Sequence, residues 1–142
     1  MKSTYRFLEH TADIKIEAIG KNFLDALKQA FFAIRYFYTS KKNFKNIRTN
    51  KEFDIKALAD SKEELIYKIF SQLIAKIEIE QAIPIKIKIV EYKELKNRLK
   101  IKLKIKATNK IKQKDQIKAV TYHDLQVKQE DKKTILTILF DV

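Results

Sequence analysis

Apolar and polar residues alternate along several stretches of the chain, and in two places the period changes to three and four. Tyr5 to Leu8 reads as a short strand, and Ile14, Ile16 and Ala18 alternate with Lys15 and Glu17 as a second, closed by Gly20. From Asn22, a helix cap, Leu24, Leu27, Phe31 and Ile34 fall at helical spacing, so a first helix is predicted to about Tyr38. Thr39 to Asn50 has no sustained period and reads as a loop. Phe53, Ile55 and Ala57 mark a third strand. Ser61-Lys-Glu-Glu64 then has the form of a capping box, in which the serine accepts from a free amide and the glutamate reaches back. Leu65, Ile66, Ile69, Phe70, Leu73, Ile74 and Ile77 give the second helix a wide apolar stripe, to about Ile79.

After Pro84 two strands, Ile85 to Ile89 and Leu99 to Ile105, alternate isoleucine or leucine with lysine. A polar connection from Asn109 to Asp115, a strand from Ile117 to Val127 and a turn at Asp131-Lys132 lead to a last strand, Thr134 to Phe140. That strand is apolar on both faces, as a buried strand is. The order β-β-α-β-α-β-β-β-β predicts an α+β two-layer sandwich: a largely antiparallel or mixed sheet of about six to seven strands packed with two main helices. With 142 residues, a single domain over 1–142 is expected.

Composition narrows the chemistry. One glycine excludes both a dinucleotide-binding fingerprint and a P-loop, which need several at fixed spacing. No cysteine means no disulfide, thiolate metal site or cysteine nucleophile. Lysine interrupts every apolar run, and the start lacks the apolar core of a secretory signal, so no membrane partner and a cytoplasmic location are expected.

Formal net charge is +13, and residues 84–118 carry 13 basic residues against 3 acidic ones. The two alternating strands there place ammonium groups on one sheet face, either a solvated surface or an electrostatic platform for RNA or an acidic partner. Lysine outnumbers arginine heavily, which argues against bidentate recognition of bases.

His10 and His123 are the two histidines, too few for a structural zinc site without cysteine. Asp141 and the carboxylate of Val142 end a strand that reads as buried, and Asp13 enters another. Such an end either reaches solvent or meets a cation. All-oxygen ligation would suit calcium, magnesium or manganese.

Three segments, Phe7-Leu-Glu-His-Thr-Ala-Asp-Ile14, Ile117-Lys-Ala-Val-Thr-Tyr-His-Asp-Leu125 and Phe140-Asp-Val142, together resemble the archease family in composition, order and placement. The resemblance implies a protein without an active site of its own, an activator of the RtcB-type RNA ligase of tRNA splicing. Such an activator promotes guanylylation of the ligase and multiple turnover. It also implies a divalent metal, most often calcium, with magnesium or manganese as alternatives, at Asp13, Asp141 and the main-chain carboxylate of Val142. Lys118, Tyr122 and His123 would orient this acidic tip or touch the partner, and His10 would hold Asp13. Lys15 stands where the family commonly has glycine, and Gln116 where an acidic residue is frequent. The segment Lys106 to Asp115 is shortened.

Beside the ligase, the lysine face of 84–118 is a candidate contact for tRNA; the competing reading is a sequence-tolerant RNA-binding module that uses this face and has no dedicated ligase. A metal-dependent hydrolase is a third, for which the sequence offers no nucleophile or paired acid and base.

Overall fold

A computed structural model describes residues 2–9 and 13–142. Its elements follow the predicted order: β1 (Thr4–Leu8), β2 (Asp13–Gly20), α1 (Phe23–Thr39), β3 (Lys51–Ala59), α2 (Lys62–Glu80), β4 (Ile83–Leu95), β5 (Arg98–Thr108), β6 (Ala119–Glu130) and β7 (Lys133–Asp141). The fold is α+β. Every strand pairing is antiparallel, and the strands form two sheets, β1-β2-β7-β6 and β3-β5-β4. The chain divides into two units, Met1–Ile34 with Gln116–Val142, and Arg35–Asp115.

In the first unit β7 is central, between β2 and β6. Leu136, Ile138 and Phe140 are fully buried opposite Ala18, Ile16 and Ile14, so one face of the sheet is apolar at every second position. The other face carries Asp13, Lys15 and Glu17 opposite Asp141, Leu139 and Thr137. The first turn of α1 is held by a reciprocal arrangement. Asn22 Oδ1 accepts from the Asp25 amide at 2.9 Å, and Asp25 Oδ2 accepts from the Lys21 amide at 2.8 Å and from the Ser3 hydroxyl. These bonds satisfy donors that a helix start leaves open.

Burial would raise the Asp25 pKa, but the Ser3 hydroxyl, the Lys21 amide and nearby lysines more than offset it and hold the carboxyl below its ordinary range. A carboxyl lowered on folding stabilises the native state above its unfolded pKa, and that contribution is lost as pH falls through the folded value. Asp25→Asn is therefore expected to flatten the acid limb of stability measured by urea unfolding between about pH 5 and pH 2; an unchanged acid limb would show that the cap carries no pH dependence.

In the second unit α2 packs on β3. Ser61 caps the helix as predicted, accepting from the Glu64 amide, while Glu64 Oε2 accepts from the Asp60 amide at 3.0 Å. Gln81 ends it in the left-handed conformation with φ 53°. The stripe from Leu65 to Ile77 is buried, and Phe53, Ile55, Ile101, Leu103 and Ile105 are buried on the sheet. Each such side chain contributes roughly 1.5–3 kcal/mol on full burial. The outer face of this sheet carries the lysines of β4 and β5. Among the described residues, no helix is long and apolar enough to cross a membrane.

Candidate acidic site at the end of the four-stranded sheet

The antiparallel register sets Asp13 of β2 directly opposite Asp141 of β7, and Ala119 of β6 opposite Asp141 on its other side. Directly opposed residues project to the same face, with Cβ atoms about 4.5–5.5 Å apart. The Lys118 amide donates to the Asp141 carbonyl at 2.8 Å, which fixes the last residues of β7 against the approach to β6. Asp13 is half-buried, Asp141 is exposed, and Val142 follows at 39% exposure.

Two carboxylates opposite each other repel, and a hard cation between them turns that repulsion into shared ligation. The donors are all oxygen, which fits calcium, magnesium or manganese better than a soft metal. Among the described residues, no three His, Cys, Asp or Glu side chains gather as a metal cage. A cation held by Asp13 and Asp141 would therefore take further oxygens from the main chain or solvent.

Of the residues singled out from the sequence, Asp13, Asp141 and Val142 come together at one sheet end. Lys118 joins them through its main chain, while its side chain is exposed. Tyr122 and His123 lie further along β6, in an interruption of its pairing. Thr121 pairs with Leu139 and Gln126 with Thr137, so Tyr122 to Leu125 stand opposite one residue of β7. Asp124 takes φ 60° there, which asparagine and aspartate tolerate better than most residues. This excursion leaves Tyr122 half exposed and the His123 ring 78% exposed, with Nε2 3.4 Å from Asp124 Oδ2. His10 lies outside the described residues.

The bulge also creates a feature that the sequence did not announce. Leu8, Lys15, Glu17, Asp124, Leu125, Gln126 and Thr137 line an open cavity of about 490 Å³. Lys15, Glu17 and Thr137 share the sheet face of the acidic pair, because they follow Asp13 and precede Asp141 by even numbers of residues. Glu17 is held by Arg6, at 2.7 Å. Period-two alternation marked Lys15 and Glu17 as outward, but no sequence signal showed that β6 would bend to wall them in.

The chain matches the Archease protein family (MTH1598/TM1083) over residues 5–142. No curated protein sequence matches it. Solved structures that share its fold include a solution structure and a crystal structure. Protein 1598 of Methanobacterium thermoautotrophicum, known in solution, is 19% identical with a TM-score of 0.80, over 97% of this chain and 98% of that one. The crystal structure of an "archease, possible chaperone" from Thermotoga maritima is 23% identical with a TM-score of 0.62, over 95% of this chain and 94% of that one. The family match spans all three segments that carry the resemblance, Asp13, Asp141 and Val142 included, and the chain belongs to the archease family.

Proposed function

We propose that this chain, acting over 1–142 as one archease-like domain, is a cytoplasmic activator of an RtcB-type RNA ligase in tRNA splicing and not itself an enzyme. Family membership supports the reading, and the observation that carries it is the register of Asp13 against Asp141 beside the end of β7. A ligand pair at the exposed end of a sheet can reach into a partner's cleft, which a buried pair cannot.

Asp13 and Asp141, with the main-chain carboxylate of Val142, would hold a divalent ion, calcium first and magnesium or manganese as alternatives. When bound, such an ion neutralises charge on phosphate oxygens. The residues of the chain position it: pairing between β2 and β7 fixes both carboxylates, and the Lys118 amide restrains Asp141. Tyr122 and His123, exposed on the bulge along β6, are offered to the partner surface, where their rings supply contact area and a hydrogen-bonding tip. An assisting role also agrees with the chaperone description of the Thermotoga protein.

The reading is tested by RNA joining with limiting matched ligase, GTP and a divalent metal. Substoichiometric amounts of this protein are expected to convert a single round of joining into many. Joining that stops after one round with and without it would contradict the proposal.

A further inference from the structure

The acidic site leaves unexplained the strongest charge in the molecule, which lies on the outer face of β3-β5-β4. Lys86 is directly opposite Lys106, Lys88 opposite Lys104, and Lys93 opposite Lys100. Like charges so placed repel and weaken the sheet that carries them. Three carboxylates share the face: Glu52 and Asp54 of β3, opposite Lys106 and Lys104, and Glu91 of β4, opposite Lys102. Glu52 lies 3.4 Å from Lys104, and Glu91 lies 3.4 Å from Lys100 and 3.9 Å from Lys93. Among the described residues, Lys86, Lys88 and Lys106 have no carboxylate within ion-pair distance. Together with Lys104 they frame a shallow cavity of about 220 Å³.

The field is also visible at Glu91. Burial alone would raise its pKa, yet Lys100, with Lys93 and Lys102, holds it below the ordinary range.

We propose that Lys86, Lys88, Lys104 and Lys106 form the anchor of an RNA-binding face that takes the phosphate backbone without reading sequence. The four ammonium groups stem from a lattice with about 6.6 Å between successive outward residues along a strand and about 4.8 Å between strands. A polymer with a charge at every unit can engage such a lattice repeatedly. Lysine is suited to this as a point charge, and the scarcity of arginine on the face agrees with the absence of base readout. An acidic protein partner would need a central apolar or aromatic anchor, and the quartet offers none, because Ile87 between Lys86 and Lys88 pairs with buried Ile105 on the opposite face. The choice of RNA over DNA rests on the function proposed above; the electrostatics does not.

The test uses the full-length protein without any ligase, so its outcome is separate from that of the activator reading. Fluorescence anisotropy follows a labelled 20-nucleotide RNA from 50 to 200 mM salt. Two variants of equal net charge are compared: Lys86, Lys88, Lys104 and Lys106 all to Gln, and the exposed Lys2, Lys41, Lys112 and Lys132 all to Gln. Wild type and the second variant are expected to bind alike, whereas the first loses at least tenfold at 50 mM salt. Its slope of log K against log salt should fall by about 3, near 0.7 for each lost phosphate contact. Equal losses in both variants would reduce the face to net charge and overturn the proposal. So would an RNA that fails to bind wild type at 50 mM salt, or a quartet that binds poly-glutamate and not RNA.

Discussion

Gly20→Ala is expected to lower stability by about 3 kcal/mol or more, the upper end of what overpacking costs. A Cβ at this position would lie 2.2 Å from the Ala26 nitrogen, 2.6 Å from the Asp25 carbonyl carbon and 2.8 Å from the Ala26 Cα. All three are main-chain atoms in the first turn of α1, so no side chain can swing aside. The backbone of Gly20 itself is not in the left-handed region. The cost is therefore steric: β2 must shift away from the start of the helix, disturbing the Asn22 and Asp25 cap and the pairing of Gly20 with Thr134. Thermal unfolding reads this as a fall of roughly 10 °C for a chain of this size. A melting point within a degree or two of wild type would mean that β2 and α1 do not approach as described.

The second large effect concerns the acidic pair, and its sign depends on the cation. In EDTA, Asp141→Ala is expected to be at least as stable as wild type, because it removes one of two opposed carboxylates at an exposed strand end. With calcium, the wild type should gain about 2.7 kcal/mol at a hundred times its dissociation constant, and a variant that binds tenfold more weakly only about 1.4 kcal/mol at the same concentration. Asp13→Ala and Asp141→Ala should each weaken the ion by about tenfold or more. A tail of added residues after Val142, which removes the carboxylate at that position, should weaken it as well. Equal melting points for wild type with calcium and with EDTA would contradict the metal assignment. Loss of stability in the aspartate variants without metal would instead give the pair a structural role.

Much of this architecture was legible because local rules and tertiary structure agree. Ser61 caps α2 as its spacing to Glu64 announced, although Glu64 reaches the Asp60 amide, one residue before the cap amide expected, and the Leu65 to Ile77 stripe is buried as its period required. Alternation gave the faces of β2, β3 and β5. It failed at Val90, where a register shift between Ile89 and Glu91 inserts one residue. Beyond that point the outward parity reverses, which is why a strand expected to end near Ile89 continues to Leu95. Tyr122 to Leu125 misled in the same way: the segment has strand composition but leaves the ladder, and its exposure follows from the break in pairing with β7 and not from its own residues. The division of the strands into two sheets depends on long-range pairings, β3 with β5 and β2 with β7, that no local period encodes. At the candidate site, residue types named Asp13 and Asp141, and only the register showed them face to face.

If the acidic end of the four-stranded sheet serves a ligase, guanylylation of that ligase reports it. A matched RtcB-type ligase would be incubated with labelled GTP and a divalent metal, and transfer of the guanylyl group to the ligase followed in time. Wild-type protein is expected to accelerate the transfer, and Asp13→Ala and Asp141→Ala proteins that remain folded are expected to lose about tenfold or more of that effect. Transfer at the same rate with wild-type protein, with either variant and with none would rule out that role for the acidic end.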